Sequence, residues 1–243
     1  MKTVLITGVS SGIGLGLARE YAARGWRVFG ISRRVPSELD RKVNVKLAGH
    51  DLAEHANTPG VIEGLLDGVD SLDLAILNAG ILGTFGDLVD APLEELKRVA
   101  DVNLWANKVI IDALFEAVPS VRQVVTISSG ASVSGNRGWA GYGISKAALN
   151  MLTALYAAEK PKTHFAALAP GIVDTAMQDE ICARPVDERY QTVEVLRGHR
   201  GTPMMPTPDE AAKKLIAAIE QLPDLVPSGA FADIRKPPLA GSI

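Results

Sequence analysis

The sequence is poor in cysteine, and this excludes two kinds of structural site that need several thiols. Cys182 is the only cysteine among 243 residues, so an intramolecular disulfide and a metal site built from several thiolates are both excluded. A lone thiol is typical of a reducing compartment, and we expect a cytoplasmic protein. The histidines show no metal-ligand spacing, so no metal site is predicted. They are His50, His55, His164 and His199.

Long apolar runs and an excess of charge are also missing. No segment approaches the roughly 20 apolar residues of a membrane-spanning helix. The first residues combine a lysine with an apolar run, as a signal peptide does, but Thr7 and Gly8 break the run too early. The net charge of −3 argues against nucleic acid or an anionic membrane as a main partner. We therefore expect neither.

What the sequence does have is regular alternation of short apolar runs with helical patterns. With 47% hydrophobic residues the chain can fill a large core, and no linker or composition break divides it, so we expect one domain over residues 1–243. Strands are predicted at Thr3–Thr7, Arg27–Ile31, Val43–Leu47, Leu72–Leu77, Gln123–Ile127 and Thr163–Leu168, with a seventh near Asp224–Val226. Helices are predicted at Gly12–Arg24, Val61–Asp67, Leu93–Ala117, Ala140–Glu159 and Pro208–Gln221. The alternation predicts an α/β fold with a parallel sheet covered by helices on both faces.

A glycine-rich segment, "TGVSSGIG", lies where the first strand passes into the first helix. Glycines there allow a backbone to approach a pyrophosphate, and the helix N-terminus supplies free N–H groups. A plain turn is the alternative, but the strand–loop–helix context favours a dinucleotide and a Rossmann-like, doubly wound sheet. The loop residues expected to bind this cofactor are Gly8, Ser10, Ser11, Gly12, Ile13 and Gly14.

The end of the second strand carries the sequence "GISRR". An acidic residue there would receive the ribose 2′-hydroxyl of NAD, whereas Arg33 and Arg34 suit the 2′-phosphate of NADP(H). Two solvated arginines are the alternative interpretation. After the third strand, Asp51 is placed to accept from an adenine amino group, or else to cap the turn that follows.

Tyr142 and Lys146 stand four residues apart in an Ala-rich segment, "GWAGYGISKAALN". Taken alone, the pair is typical of a surface helix with one aromatic and one extended lysine. The same spacing also places a phenol and an ammonium on one helix face, where the cation could lower the phenol's pKa. The rest of the chain must decide between these interpretations.

Six short motifs occur in a fixed order along nearly the whole chain. They are "TGxxxGIG", "NAG" at Asn78–Gly80, Asn103 in "DVNLW", "ISS" at Ile127–Ser129, "YxxxK" and "PG" at Pro170–Gly171. In this order they resemble the short-chain dehydrogenase/reductase family, and the segments after Gly138 are most similar to its sepiapterin reductase and benzil reductase branch. That branch often has a basic residue where Ser11 stands, which leaves the two arginines after the second strand as the 2′-phosphate candidates.

The resemblance implies a catalytic set. Tyr142 is expected to donate the proton in carbonyl reduction, and Lys146 to assist it and to bond the nicotinamide ribose. Ser129, thirteen residues before the tyrosine, is expected to hold the carbonyl oxygen, with Ser128 as the alternative if the register shifts by one. Asn103 is expected to bind a water that relays protons to the lysine, although a local helix bond is the ordinary role for such a residue.

The resemblance also implies further contacts to NADP(H). Asn78 and Gly80 are expected on the adenosine side, and Thr175 at the nicotinamide carboxamide with Ile172 supplying backbone. Asp174 and Thr175 could instead simply begin a helix. The remaining cofactor residues carried over are Pro170 and Gly171.

The longest irregular segment, residues 171–207, is rich in Pro, Met and Arg. Its methionines, Met177, Met204 and Met205, suit either an adaptable lid over an apolar substrate or core filling, and we favour the lid. Trp139 is a candidate wall of the substrate pocket, although a core role is nearly as well supported.

The segment "SGAFAD" resembles the end of sepiapterin reductase, where an aspartate anchors the substrate ring. Asp233 is therefore a candidate substrate residue, while pairing with Arg235 or Lys236 is the alternative.

Two predicted helices, Leu93–Ala117 and Ala140–Glu159, are apolar on more than one side. In the family these helices form a subunit interface, so we expect a homodimer or homotetramer. The residues beyond one sheet-facing side are Val109, Leu114, Leu149, Leu152 and Tyr156.

Together the motifs and the family resemblance imply NADPH-dependent reduction of a small ketone or dicarbonyl. A non-catalytic NADP-binding regulator is the alternative.

Overall fold

Seven parallel strands form the central sheet of the structure, a computed structural model that describes residues 1–242. The strand order is β3-β2-β1-β5-β7-β8-β9, and β4 pairs only with β6 beside it. The strands are β1 (Thr3–Thr7), β2 (Arg27–Ser32), β3 (Val45–Gly49), β4 (Ser71–Leu72), β5 (Leu74–Leu77), β6 (Ser120–Val121), β7 (Gln123–Ile127), β8 (His164–Ala169) and β9 (Phe231–Asp233). The predicted parallel sheet is confirmed.

Helices cover both faces of this sheet. Alternate residues of β1 point to opposite faces, so Val4 and Ile6 pack with α1 and α9, whereas Leu5 packs with α3, α5 and α6. The helices are α1 (Gly12–Ala23), α2 (Ser37–Asp40), α3 (Thr58–Leu66), α4 (Leu93–Ala100), α5 (Ala106–Ala117), α6 (Ala140–Glu159), α7 (Ala176–Cys182), α8 (Gln191–His199) and α9 (Pro208–Leu225). Each face therefore has its own apolar core, as a doubly wound fold requires.

The seventh strand lies elsewhere than predicted. The expected strand near Asp224–Val226 is wrong, because α9 continues to Leu225 and the strand forms at Phe231–Asp233. Proline ordinarily ends a helix, yet α9 includes Pro223.

A side chain from the sheet explains why the helix continues. Pro223 has no N–H for the carbonyl of Ile219, and the buried Gln123 donates its Nε2 to that oxygen at 3.0 Å instead. The helix therefore passes its proline without leaving a buried carbonyl unpaired.

The other predicted elements differ in their bounds. The predicted bounds of β7 and α6 are confirmed, whereas β3 begins two residues later than predicted because Val43 is fully exposed. The predicted helix Leu93–Ala117 is divided by a π-helical segment at Asp101–Trp105. The long segment after Gly171 is not irregular, since it contains α7 and α8.

Candidate active site

The glycine loop begins directly after β1, at the carboxyl edge of the sheet. Gly8 has φ of +76° and donates its N–H to the carbonyl of Ile31 at 2.7 Å, while Gly12 has φ of +56°. Such left-handed backbone strongly favours glycine. At Gly14 the carbonyl of Gly8 and the side-chain nitrogen of Asn78 occupy the space of a Cβ. The loop therefore packs closely on β2 and Asn78, and with the first turn of α1 it forms a glycine cradle whose free N–H groups suit a phosphate.

Asn78 fixes the loop to the next strand. Its Nδ2 donates to the carbonyl of Thr7 at 3.0 Å, and the Thr7 hydroxyl accepts the backbone N–H groups of Asn78 and Ala79, both at 3.0 Å. The ends of β1 and β5 are thereby held side by side. The "NAG" motif thus lies against the glycine loop, and its contact to a cofactor stays a prediction.

Two arginines follow β2. Neither side chain forms an ion pair with another residue of the described range 1–242. Arg33 and Arg34 are both exposed, and the Ser32 hydroxyl donates to the carbonyl of Arg34 at 2.7 Å, which shapes the turn. Ser11 is also exposed. Asp51 accepts the N–H of Ala53 at 3.1 Å, as in the capping alternative, and one of its oxygens has no recorded bond.

Tyr142, Ser129 and Lys146 converge at the ends of α6 and β7. The Lys146 side chain is buried, donates to the carbonyl of Ile127 at 2.7 Å, and lies 5.7 Å from the centre of the Tyr142 ring. The Ser129 hydroxyl accepts the N–H of Ala131 at 3.1 Å and lies near enough to the tyrosine to act against the rise of its pKa. The motif that the sequence left open is therefore part of a cluster rather than of a solvated helix face.

Burial governs the protonation of this cluster. It raises the pKa of the Tyr142 phenol above 10, and the nearby Ser129 hydroxyl only partly opposes that shift. Burial also lowers the pKa of the Lys146 ammonium to about 8. The expected lowering of the phenol's pKa by the cation is therefore not seen. A phenol that keeps its proton at neutral pH suits a proton donor.

Asn103 lies in the π-helical segment, completely buried. Its Oδ1 accepts the N–H of Ile81 at 2.8 Å, and its Nδ2 donates to the carbonyl of Ile81 at 2.9 Å and to the Ser145 hydroxyl at 3.0 Å. Asn107 supports the distorted turn by donating Nδ2 to the Asn103 carbonyl at 2.8 Å. π-Helical turns are frequent at functional sites. The proton relay through Asn103 stays a prediction.

Gly80 fits between the asparagine and the lysine. A Cβ at this position would lie 3.2 Å from Oδ1 of Asn103 and 3.4 Å from Nζ of Lys146. The second glycine-containing motif therefore lies against the catalytic candidates and not only on the adenosine side.

Ser145 is a residue that the sequence analysis missed. Its buried hydroxyl accepts from Asn103 and donates to the carbonyl of Tyr142 at 2.8 Å, so it links the π-helical segment to the first turn of α6. The available signal was its position three residues after the tyrosine, where a serine bonds back to its own helix.

Hydrogen bonds behind the site favour Ser129 over Ser128. The Ser128 hydroxyl is buried and donates to Asn150 at 2.5 Å, which in turn donates to Ser132 at 2.9 Å. The Ser132 hydroxyl donates to the carbonyl of Ser129 at 2.6 Å. Ser128 therefore holds the loop from behind, while Ser129 faces the tyrosine.

The segment after β8 covers this side of the sheet. Pro170 and Gly171 form the turn, with Gly171 at φ of +78°, and Thr175 is the N-cap of α7 with its methyl 3.3 Å from the Cβ position of Gly12. Thr175 therefore begins a helix and also reaches the glycine loop.

A third apolar cluster lies beneath α7 and α8. Trp139, Tyr142, Ile172 and Met177 pack against its buried members, which include Phe85. Met205 is buried in the same cluster, whereas Met204 is exposed, so core filling holds for Met205. Trp139 thus lies next to the tyrosine, in a position suited to a pocket wall.

Ion pairs connect this covering segment to the loop before α4. The carboxylate of Asp87 accepts from Arg137 at 2.6 Å and from Arg189 at 3.3 Å, and Arg189 also bonds Asp187 at 2.6 Å. The guanidinium groups hold the pKa of Asp87 below its usual range. These pairs help to hold the covering segment over the site.

Asp233 ends β9 at the same edge, and its carboxylate is almost fully buried. Arg235 donates Nε at 2.9 Å and one Nη at 2.7 Å to its two oxygens, and its backbone N–H also bonds the carboxylate. Burial alone would raise the pKa of Asp233, but these hydrogen bonds and the charge of Arg235 hold it below the usual value. The pairing alternative is therefore present, and an anchoring role for Asp233 stays a prediction.

A match to a family model decides the family of this chain. Residues 2–185 match the model described as short chain dehydrogenase. This chain belongs to that family. It is accordingly an oxidoreductase of the short-chain dehydrogenase/reductase type.

Relatives place the chain near the benzil reductases, as the resemblance predicted. It is 31% identical over 196 residues to the benzil reductase ((S)-benzoin forming) IRC24 of Saccharomyces cerevisiae, covering 74% of each protein. It is 29% identical over 235 residues to the benzil reductase ((S)-benzoin forming) of Bacillus subtilis, covering 91% of this chain and 94% of the other. The crystal structure of YIR035C, a short-chain dehydrogenase/reductase from Saccharomyces cerevisiae, superposes with a TM-score of 0.84 at 23% identity and covers all of both chains.

In residues 1–242 no helix has both the length and the apolar character that a membrane span needs. No group of three or more metal-ligating side chains is present in the same range.

Proposed function

We propose that this short-chain dehydrogenase reduces a ketone or dicarbonyl substrate to the alcohol with NADPH. The observation that carries the proposal is the convergence of Ser129, Tyr142 and Lys146 beside the glycine cradle. The benzil reductases among its relatives support a vicinal diketone as the substrate class. A cytoplasmic location is part of the same proposal.

The chemistry divides between cofactor and protein. When bound, NADPH supplies the hydride that reduces the carbonyl carbon. Ser129 and Tyr142 hold the carbonyl oxygen, and the phenol of Tyr142 passes its proton to that oxygen as charge develops there. Lys146 is held by the carbonyl of Ile127, so its ammonium stays behind the tyrosine and stabilises the phenolate left after transfer.

The residues present fit the pyrophosphate and the 2′-phosphate of this cofactor. The glycine cradle leads into α1, whose first turn has no acidic residue and no side-chain cap on its N–H groups. Arg33 and Arg34 are exposed after β2 without an assigned carboxylate partner in residues 1–242. Bidentate guanidinium bonds to a phosphate would then favour NADPH over NADH.

The proposal is tested by NADPH oxidation at 340 nm with a panel of diketones and monoketones. We expect turnover of at least one vicinal diketone, with NADPH preferred over NADH, and with no activity in Tyr142→Phe. If no carbonyl of the panel is reduced while NADPH binds, the alternative of a non-catalytic NADP-binding regulator replaces the proposal. The intact catalytic set argues against that alternative.

A homodimer or homotetramer is also proposed, with an interface formed by residues other than those expected from the sequence. Leu114, Leu149 and Tyr156 are buried in the core, Leu152 packs partly against it and Val109 is half-buried, so they leave little apolar surface for a partner. The exposed apolar side chains of α6 are Ile144, Met151 and Leu155. Light scattering of the parent and of a Met151→Glu/Leu155→Glu variant tests the assembly, with a shift to monomer expected.

A further inference from the structure

The guanidinium of Arg235 lies beside the loop that carries Ser129, and the proposed mechanism does not use it. Arg235 leaves β9 and extends across the ends of two strands. Its Cδ lies 3.5 Å from the Cβ position of Gly171, after β8, and its Nη2 lies 3.2 Å from the Cβ position of Gly130, after β7. Gly130 is the residue next to Ser129. The tip of Arg235 is therefore beside the loop that holds the carbonyl-binding hydroxyl.

Asp233 sets the orientation of this side chain. Two parallel hydrogen bonds from Nε and Nη2 form the fork geometry that fixes a guanidinium plane. The carboxylate is 4% exposed at its side chain, whereas that of Arg235 is 44% exposed. Within residues 1–242 the remaining Nη1 group of Arg235 has no recorded partner. Beside Gly130 the pair thus exposes N–H donors, not carboxylate acceptors.

From this geometry we infer that Arg235 is a specificity residue that donates to a second acceptor oxygen of the substrate. The inference rests on the proposed carbonyl reduction. Ser129 and Tyr142 hold the oxygen that is reduced, and Arg235 receives a neighbouring carbonyl oxygen, so dicarbonyls are preferred over monoketones. Asp233 is a positioning residue that acts through the arginine.

Charge favours a neutral oxygen as the ligand. The buried carboxylate of Asp233 compensates the charge of Arg235, so this pair offers directed donors with little net field for an anion. Lys236 is exposed and near enough to influence Asp233, but it has no recorded hydrogen bond from its side chain among the described residues. It therefore provides a matched control for the loss of one cation.

The test compares 1-phenylpropane-1,2-dione with propiophenone, which lacks the second oxygen. In Arg235→Met we expect kcat/KM for the dione to fall at least tenfold, with the monoketone changed less than twofold. Lys236→Met should leave both substrates unchanged. Arg235→Met leaves a buried carboxylate unpaired, so the double variant Asp233→Asn/Arg235→Met is measured beside it, with thermal unfolding of each.

The outcomes separate the inference from the proposed function. If the parent reduces neither these two substrates nor any other carbonyl of the panel with NADPH, the proposed function fails. If it reduces the dione but Arg235→Met and the double variant lower both substrates alike, or neither, Arg235 only holds the chain terminus and the inference is overturned. A selective loss in Arg235→Met that Arg235→Lys partly restores supports a donor role. If Asp233→Asn alone removes a donor-bearing substrate such as sepiapterin and spares the dione, Asp233 is the anchor and the inference is overturned.

Discussion

The buried ammonium of Lys146 makes the stability of the protein depend on pH in a defined direction. Its pKa is about 8 in the folded chain, against 10.5 for an ordinary lysine. Below pH 8 both folded and unfolded chains carry the proton, and between these two values the unfolded chain binds more. The free energy of unfolding should therefore rise with pH across this window.

The size of the effect follows from the shift. A difference of about 2.5 pKa units corresponds to about 3 kcal/mol in total, of which about 2 kcal/mol should appear between pH 7 and 9.5. The reference is Lys146→Met, which keeps an unbranched side chain and has no proton to lose. Tyr142, the titratable neighbour, contributes above this range because burial raises its pKa.

Urea unfolding followed by circular dichroism at pH 7, 8, 9 and 9.5 measures the effect. The parent should gain stability relative to Lys146→Met as pH rises. Lys162→Met, which removes an exposed lysine, should follow the parent. If the parent and Lys146→Met stay parallel from pH 7 to 9.5, the amine is not held in a desolvated site and the argument from burial is wrong.

Three further substitutions test the site and the fold. Tyr142→Phe should lower kcat about a hundredfold to ten-thousandfold while NADPH binding, followed by fluorescence titration, is kept, because the ring stays and only the proton donor is lost. Arg33→Ala should remove most of the preference for NADPH in kcat/KM, since a hydrogen bond to a charged group contributes about 1.5–3 kcal/mol. Gln123→Leu should destabilise the fold by about 1–3 kcal/mol in urea unfolding by leaving the Ile219 carbonyl unpaired. Adding Pro223→Ala should recover part of that loss because the new N–H reaches the same oxygen.

A specific result would contradict each of these three predictions. Near-parental kcat in Tyr142→Phe would remove the tyrosine from the mechanism. Arg41→Ala, at an exposed arginine after α2, should not alter cofactor preference, and an equal effect there would mean that only overall charge matters. If Pro223→Ala costs the same with and without Gln123→Leu, the two residues do not share the carbonyl.

Structural features that depend on residues close together in the chain could be predicted from the sequence. The bounds of β7 and α6 followed from local patterns, and the spacing of Tyr142 and Lys146 is a property of one helix turn. The loop glycines were expected to allow close approach of the backbone, and the structure adds positive φ values at Gly8 and Gly12.

Features that depend on contacts between residues far apart in the chain could not be predicted from the sequence. The end of α9 was misjudged because the partner of the Ile219 carbonyl lies on β7, far away in sequence. The direction of the pKa shift at Tyr142 depends on how deeply the fold buries the ring. The position of Arg235 against Gly130 arises only when β9 joins the sheet beside β8.

Gly80 has no side chain, and this leaves space that the side chains of Asn103 and Lys146 approach. A methyl group there would lie 3.2 Å from Oδ1 of Asn103, which would have to give way by a few tenths of an ångström, and at ordinary contact distance, 3.4 Å, from Nζ of Lys146. An alanine at this position would remove no functional group, yet it would press on the amide that bonds Ile81. The absence of a side chain at Gly80 thus lets the asparagine and the lysine approach the same point.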